Sequence, residues 1–344
     1  MIFEHLETLT DSTGVIQHAI YSIPNRRTGY TTDDNVRALI AAIMEFERTE
    51  SRDVLQLVST YLSFLHYAQT PAGRFHNFMS YDQVWLDDQS SEDCFGRSLW
   101  ACGFALAADL HQNIKNVAKQ LFNNAFRWIS HTNSLRSRAY MAMGCHYYLK
   151  YDPNNAEVRA ALERLADAIC AQFRFNAKED WTWFEDVLTY SNGKIPRALF
   201  LAYRDLEKDE YLKVALESLD FLTSVCVVNG VIHPIGCNGW YERGGERAWF
   251  DQQPVDPMAH MLSYLAAYDT TGDQKHLRLA KMCFDWFFGH NSVGDALYDP
   301  VTGGCFDALG PGGANLNQGS ESTICCLLAQ LSMQPYLEKL KVES

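Results

Sequence analysis

Short runs of acidic and amide residues alternate along this chain with segments in which almost no position is polar. The first junction is Thr31-Thr32-Asp33-Asp34-Asn35-Val36-Arg37-Ala38-Leu39-Ile40. Beyond it Val36, Leu39, Ile40, Ile43 and Met44 recur at helical spacing, while Ala38, Ala41 and Ala42 fill the other faces. A helix apolar nearly all round belongs inside a core. The next segment, 52–69, keeps Val54, Leu57, Val58, Tyr61, Leu62 and Leu65 to one face and reads as a half-exposed outer helix.

The alternation continues. Inner helices are expected after Ser90-Ser91-Glu92-Asp93, over Ala139–Leu149, after Ser191-Asn192-Gly193 with Pro196 in the first turn, at Asp256-Pro257 as N-cap and N1, and over Ile324–Leu331. Outer stripes run over 114–129, 158–169, 212–222 and 277–287. Residues 2–9 make a short helix that Asp11-Ser12-Thr13-Gly14 ends. No stretch alternates with period two for long enough to demand a sheet, although Val227 to His233 fits a short hairpin.

Asp33, Glu92, Asn133, Tyr190, Asp251 and Asn317 mark the polar entrances to six inner helices, at intervals of roughly 40–65 residues. Stacked hairpins whose inner helices must be covered by neighbours imply a solenoidal or closed helical array. Five outer helices are clear, so the sixth comes from residues 2–9, from the segment near Tyr336 to Lys341, or from both, and closes the ring. The expectation is an all-α single domain over 1–344, an (α/α)6 toroid of six helical hairpins. In such a ring every inner helix points the same way, which gathers the six polar entrances at one mouth, with Asp33, Glu92, Glu185, Asp251 and Glu321 clustered there.

Composition narrows the chemistry. With 344 residues and 47% apolar content the chain has enough material for a large core. A net charge of -13 repels nucleic acid and anionic membrane, so the expected partner is a neutral or cationic ligand. Met1 is followed by Glu4 and Glu7 with neither a basic segment nor an apolar leader, and no run reaches the ~18 apolar residues of a membrane span, which leads to an expected cytoplasmic location. The ten cysteines stand singly except Cys325-Cys326 and show no CxxC or Cys/His ligand spacing, so they read as reduced core thiols, with no metal and no cofactor expected.

Four motifs carry a family resemblance: Gly29 to Leu39, Gly239-Trp240-Tyr241, Asp251-Gln252-Gln253-Pro254, and Asn317-Gln318-Gly319-Ser320-Glu321-Ser322-Thr323. With the six-hairpin pattern they resemble the six-hairpin glycosidase superfamily, and within it a little-characterised bacterial group sometimes joined to glycosyltransferases. The resemblance implies a toroid that hydrolyses glycosidic bonds with paired carboxylates, and a glycosyltransferase as associated partner.

Glycoside cleavage needs one carboxylic acid for the leaving oxygen and a second carboxylate for water or the sugar carbon. The carboxyl candidates are Asp33, Asp34, Glu92, Glu185, Asp186, Asp251 and Glu321, with Asp88 and Asp93 nearby. Thr31-x-x-Asp34 and Ser90-x-x-Asp93 equally have capping-box spacing. Glu185 or Asp186 is the expected acid, because Trp181 and Trp183 would raise a neighbouring carboxyl's pKa. Asp33 or Asp251, held ionised by amides and a helix N-terminus, is the expected partner, with Glu321 in reserve. Tyr30, Trp183, Tyr190, Asn192, His233, Trp240, Tyr241, Arg243, Gln252, Gln253 and Asn317 supply the aromatic faces and polar groups of a sugar pocket. Two further readings remain open. A sugar epimerase or lyase would use His or Tyr as proton carriers, with His233 and His260 as the histidines facing the cleft. A non-catalytic carbohydrate-binding module of a glycosyltransferase would use the aromatics and leave the acids redundant.

Overall fold

The computed structural model describes residues 3–341, and helices dominate it. The twelve α-helices among the described residues are α1 (Glu4–Leu9), α2 (Thr32–Thr49), α3 (Arg52–Ala68), α4 (Glu92–Ala107), α5 (Gln112–Phe126), α6 (Leu135–Tyr151), α7 (Ala156–Asn176), α8 (Lys194–Leu206), α9 (Asp209–Cys226), α10 (Val255–Thr271), α11 (Gln274–Asp285) and α12 (Ser320–Lys341). The even-numbered helices are the six expected inner ones, and buried side chains occupy nearly every face of α2, α4, α6 and α10. The segment 336–341 is no separate outer helix, because it continues α12 past Pro335.

The chain resolves into two compact units, Leu6–Asp167 and Ala168–Ser344 together with Met1–His5, the boundary falling inside α7. In Leu6–Asp167, α2 packs on α3 and α4, and α4 packs most extensively on α6. That contact brings backbones together: a Cβ built on Gly103 would lie 2.2 Å from the Gly144 carbonyl oxygen, and one on Gly144 would lie 2.7 Å from that of Leu99. In the other unit α8 packs on α9 and α10, and α10 on α11 and α12. Gly193, at the start of α8, touches α10 so closely that a Cβ would meet the Ala259 carbonyl at 2.4 Å.

Helix entrances follow capping chemistry, in places shifted by a residue. Thr31 caps α2 by accepting from the Asp34 amide at 3.1 Å and donating its hydroxyl to Asp34 Oδ2 at 2.6 Å, so the Thr31-x-x-Asp34 spacing serves as a helix cap. At α4 the cap is Ser91, which accepts from the Cys94 amide at 3.2 Å, so the expected Ser90/Asp93 box does not form. Asp93 instead accepts from the Ser134 hydroxyl at 2.5 Å. α10 begins at Val255, one residue before the expected cap, and Asp256 turns its carboxylate to the Ser191 amide at 2.7 Å.

The hairpin expected near 227–233 forms, with Val227–Val228 paired to Val231–Ile232. Four more two-stranded antiparallel pairs tie the loops: Ala19–Ile20 with Ile23–Pro24, Tyr30–Thr31 with Phe78–Met79, Val187–Leu188 with Tyr241–Glu242, and Ala308–Gly310 with Gly313–Asn315. Strands this short carry no readable alternation. Among the described residues no helix is long and apolar enough to cross a membrane. All ten cysteines are free, and only Cys237 is not fully buried.

Candidate active site

Each unit gathers its own polar cluster at helix entrances. In Leu6–Asp167 the centre is an ion pair between Asp33, whose side chain is 20% exposed, and buried Arg97, with Arg97 Nη1 2.8 Å from Asp33 Oδ1. Arg97 also lies 4.9 Å from the ring centre of Tyr140, which stacks on Trp100 at 5.8 Å, and its Nη2 is 3.8 Å from Asp93 Oδ2. Burial pushes the Asp33 carboxyl up, but the charges of Arg97 and Arg37 outweigh it and hold its pKa below the ordinary value. Asp33 is thus an ionised acceptor, suited to sugar hydroxyls or to the carboxylate-partner role and unsuited to acid catalysis.

The neighbouring candidates are committed to the fold. Asp34 is buried, accepts from the Thr31 hydroxyl and from Arg37 Nη1 at 3.0 Å, and so serves the start of α2 and not catalysis. Glu92 Oε2 accepts from the Thr132 hydroxyl at 2.7 Å and from the Asn133 and Ser134 amides at 2.9 and 2.6 Å, so it closes the entrance of α6. Burial raises its proton affinity, yet those three donors and Arg138 bring the pKa below the usual carboxylate value. Tyr30 is buried and donates its hydroxyl to Asp11 at 2.7 Å, so it presents no open face to a sugar.

In the second unit the loop before α10 builds the more open cluster. Arg247 donates to the carbonyls of Val225, His233 and Pro234 at 2.5, 2.7 and 3.3 Å, and its guanidinium lies 4.2 Å from the ring centre of Trp249. Trp249 is 45% exposed, and the half-buried imidazole of His233 meets it edge-on at 5.8 Å. Burial first, and the Arg247 charge second, lower the pKa of His233. The same two causes act on His260, fully buried on α10, whose pKa falls to about 3 and whose two ring nitrogens have no partner among the described residues. Both imidazoles are therefore held neutral near pH 7.

The other expected residues of this unit divide between core, surface and loop. Trp183 is fully buried, edge-on to Phe184 at 5.1 Å, so it fills the core and offers no stacking face, contrary to expectation. Trp181 is buried as well and donates its indole N–H to the Glu185 carbonyl at 2.7 Å, which directs it to the backbone of Glu185 and away from any carboxyl-tuning role. Asp186 is exposed and paired with Arg243, which also donates to the Asn176 carbonyl at 3.1 Å, so these two close the strand pair beside Tyr241. Gln252 is fully buried and saturated: its amide nitrogen donates to Trp249 O and Ser292 Oγ, and its oxygen accepts from Trp286 Nε1. Asn192 is buried and donates to the Thr189 carbonyl at 2.7 Å. Tyr190 and Trp240 meet at 6.2 Å, both half-buried. Asp251 is exposed, and Glu185, Gln253, Asn317 and Glu321 are half-buried.

Arg97, Arg247 and Trp249 are members that the sequence pattern does not single out, and Asp256, expected as a helix cap, instead holds the Ser191 amide. Arg97 follows Asp93 by four residues on one helix face, and Arg247 and Trp249 share one side of an extended segment, two spacings that contain the signal. Among the described residues no group of His, Cys, Asp or Glu is arranged to hold a metal ion.

No family model and no curated protein matches this chain by sequence. Solved structures do match it by fold. Cellobiose 2-epimerase from Bacillus thermoamylovorans superimposes with a TM-score of 0.73 at 13% identity, over 96% of this chain and 98% of that one. A D-mannose isomerase gives 0.74 at 12% identity over 97% and 96%. The GH76 α-mannanase of Bacteroides thetaiotaomicron gives 0.69 at 13% identity over 99% and 96%. The chain has the all-α fold of these structures, the fold class its helical pattern implies.

Proposed function

We propose that this chain is a carbohydrate-active enzyme, and that its reaction is proton transfer at the carbon beside a sugar carbonyl, as in an isomerase or epimerase, with glycosidic hydrolysis as the displaced reading. The observation that carries it is the neutral, half-buried His233 at the edge of exposed Trp249. An aldose C2 proton needs a neutral base, and a sugar ring needs a flat apolar face beside it. Trp249 supplies the face and His233 the base. Burial first, and the Arg247 charge second, keep His233 unprotonated in the resting state, and the same charge favours negative charge as it develops on an enediolate oxygen. His260 is a second neutral imidazole within reach of the same charge.

Hydrolysis asks for a carboxyl held protonated. The carboxyls with displaced pKa values, Asp33, Glu92 and Asp299, are all displaced toward the ionised form. The fold accommodates both chemistries, since it is shared with a cellobiose 2-epimerase, a D-mannose isomerase and an α-mannanase.

The test is incubation with D-mannose, D-glucose, D-fructose and cellobiose in D2O, followed by NMR. Deuterium should enter at C2 with interconversion of the sugars, His233→Ala should slow exchange by about 10²- to 10⁴-fold, and Trp249→Ala should act mainly on KM. New reducing ends from a mannan or oligosaccharide without exchange would establish hydrolysis in its place, and saturable sugar binding with neither reaction would establish a binding module.

A further inference from the structure

A cavity of about 240 Å³ in the unit built from Ala168–Ser344 carries an uncompensated positive charge. One wall is α11, which turns Arg278, Lys281, Met282 and Asp285 toward it at helical spacing. His290, just past that helix, and the hairpin residues Gly230 and Val231 complete the lining. Lys281 is satisfied inside the cavity, with its Nζ 2.6 Å from Asp285 Oδ2, and Asp285 is the one acid among the described residues that line it. Those two charges cancel. Arg278 and His290 are exposed, and neither side chain has an ion pair or hydrogen bond among the described residues. On a chain where acids outnumber bases 42 to 29, a concave spot with this balance draws an anion.

Size and donor type narrow the ligand. The cavity is smaller than the ~300–1,000 Å³ of sites for drug-sized molecules, so it suits a small anion and excludes a polymer or a nucleotide. The planar fork of Arg278 matches two oxygens of one phosphate, Lys281 adds a point charge, and the His290 imidazole adds an N–H donor. Three convergent basic groups fit the two charges of a phosphate better than the single charge of a carboxylate. Asn229 and Gly230, both at positive φ, make the two-residue turn of the hairpin, so the rim at Gly230 is bare backbone with no side chain to block entry. We propose that this cavity binds a phosphate group, either free or as the monoester of a small metabolite. The site has a direct connection inward. His233 follows the second strand of the same hairpin, and its amide donates to the Cys226 carbonyl at 2.7 Å, so a ligand that braces Gly230 and Val231 also braces the backbone that carries His233.

Titration calorimetry of the full chain with inorganic phosphate, glycerol 3-phosphate and glucose 6-phosphate at constant ionic strength tests it, independently of any sugar reaction. At least one of the three should bind saturably with a Kd of ~0.1 to ~1 mM, and the tightest of them identifies the source of the phosphate. Arg278→Glu and His290→Ala should each weaken that binding by about 10-fold. Their thermal transitions in phosphate-free buffer should match the wild type, because both side chains are exposed and unpartnered. Hydrogen–deuterium exchange over residues 227–233 should slow on adding the bound phosphate compound to the wild type, and should not change in Arg278→Glu. Three outcomes would each overturn the proposal: no saturable binding of any of the three compounds up to ~10 mM, variants that bind as tightly as wild type, or protection confined to other segments.

Discussion

Arg97 serves several neighbours at once: it balances Asp33, approaches Asp93 and lies over the Tyr140 ring, all from a buried position. Removing one member of a buried pair strands the other, so Arg97→Ala should cost about 3–5 kcal/mol in denaturant unfolding at pH 7. Because the folded pKa of Asp33 lies below its ordinary value of 3.8, the unfolded chain takes up the proton first. The pair's contribution is therefore present above pH 3.8 and lost as pH falls through the folded value, and Asp33→Asn should flatten that acid limb. His260 sets a different window. Its folded value of about 3 lies below the unfolded 6.5, so the unfolded state binds the proton across that interval and stability falls with pH throughout it. His260→Leu should shrink the stability difference between pH 7 and pH 5 by about 2 kcal/mol, at about 1.4 kcal/mol per pH unit below 6.5. A difference that does not change would place the acid sensitivity elsewhere.

At the scale of elements, the pairing of α4 with α6 depends on missing side chains. Gly103 and Gly144 let the two backbones touch. Alanine is the better helix former by about 1 kcal/mol, so an exposed position would be stabilised by Gly103→Ala. Here the methyl has no room before the Gly144 carbonyl, and the substitution should destabilise by about 1–3 kcal/mol, or more if the helices cannot part. A rise in unfolding midpoint would contradict this contact. Helix existence was legible because apolar periodicity over fifteen or so residues is a strong signal. The exact starts of α4 and α10 were not, since Ser90 and Ser91 are equally good caps in sequence, and Asp256 chose the Ser191 amide of a distant loop over capping its own helix. Trp183 misled for a related reason: a tryptophan between an acid-rich loop and a helix reads as a platform, and only the packing of Phe184 and Phe221 around it assigns it to the core.

At the scale of the whole molecule, the scattered thiols give a direct check on burial. Burial raises the pKa of Cys94, Cys102, Cys226 and Cys237, the third to about 12, and all ten thiols are free. A thiol reagent at neutral pH should therefore modify about one group in the native protein, Cys237, and all ten in denaturant. Several fast-reacting thiols would mean a looser core than described. The sequence by itself determined the helical class and the alternation of inner and outer helices, and it offered the Thr31–Asp34 pairing at the start of α2. Each of these follows from local periodicity or composition, which a chain carries whatever its tertiary partners. Only the tertiary structure decided which polar residues are available for chemistry. Asp34, Glu92, Asp186 and Gln252 look alike in sequence to a free catalytic group, but each is consumed by a partner 3 to 57 residues away. His233 is a candidate in the sequence, but Trp249 is an ordinary loop residue until Arg247 fastens to the carbonyls around them. The physical reason is that proton affinity and exposure depend on neighbours in space, and no one-dimensional pattern lists them.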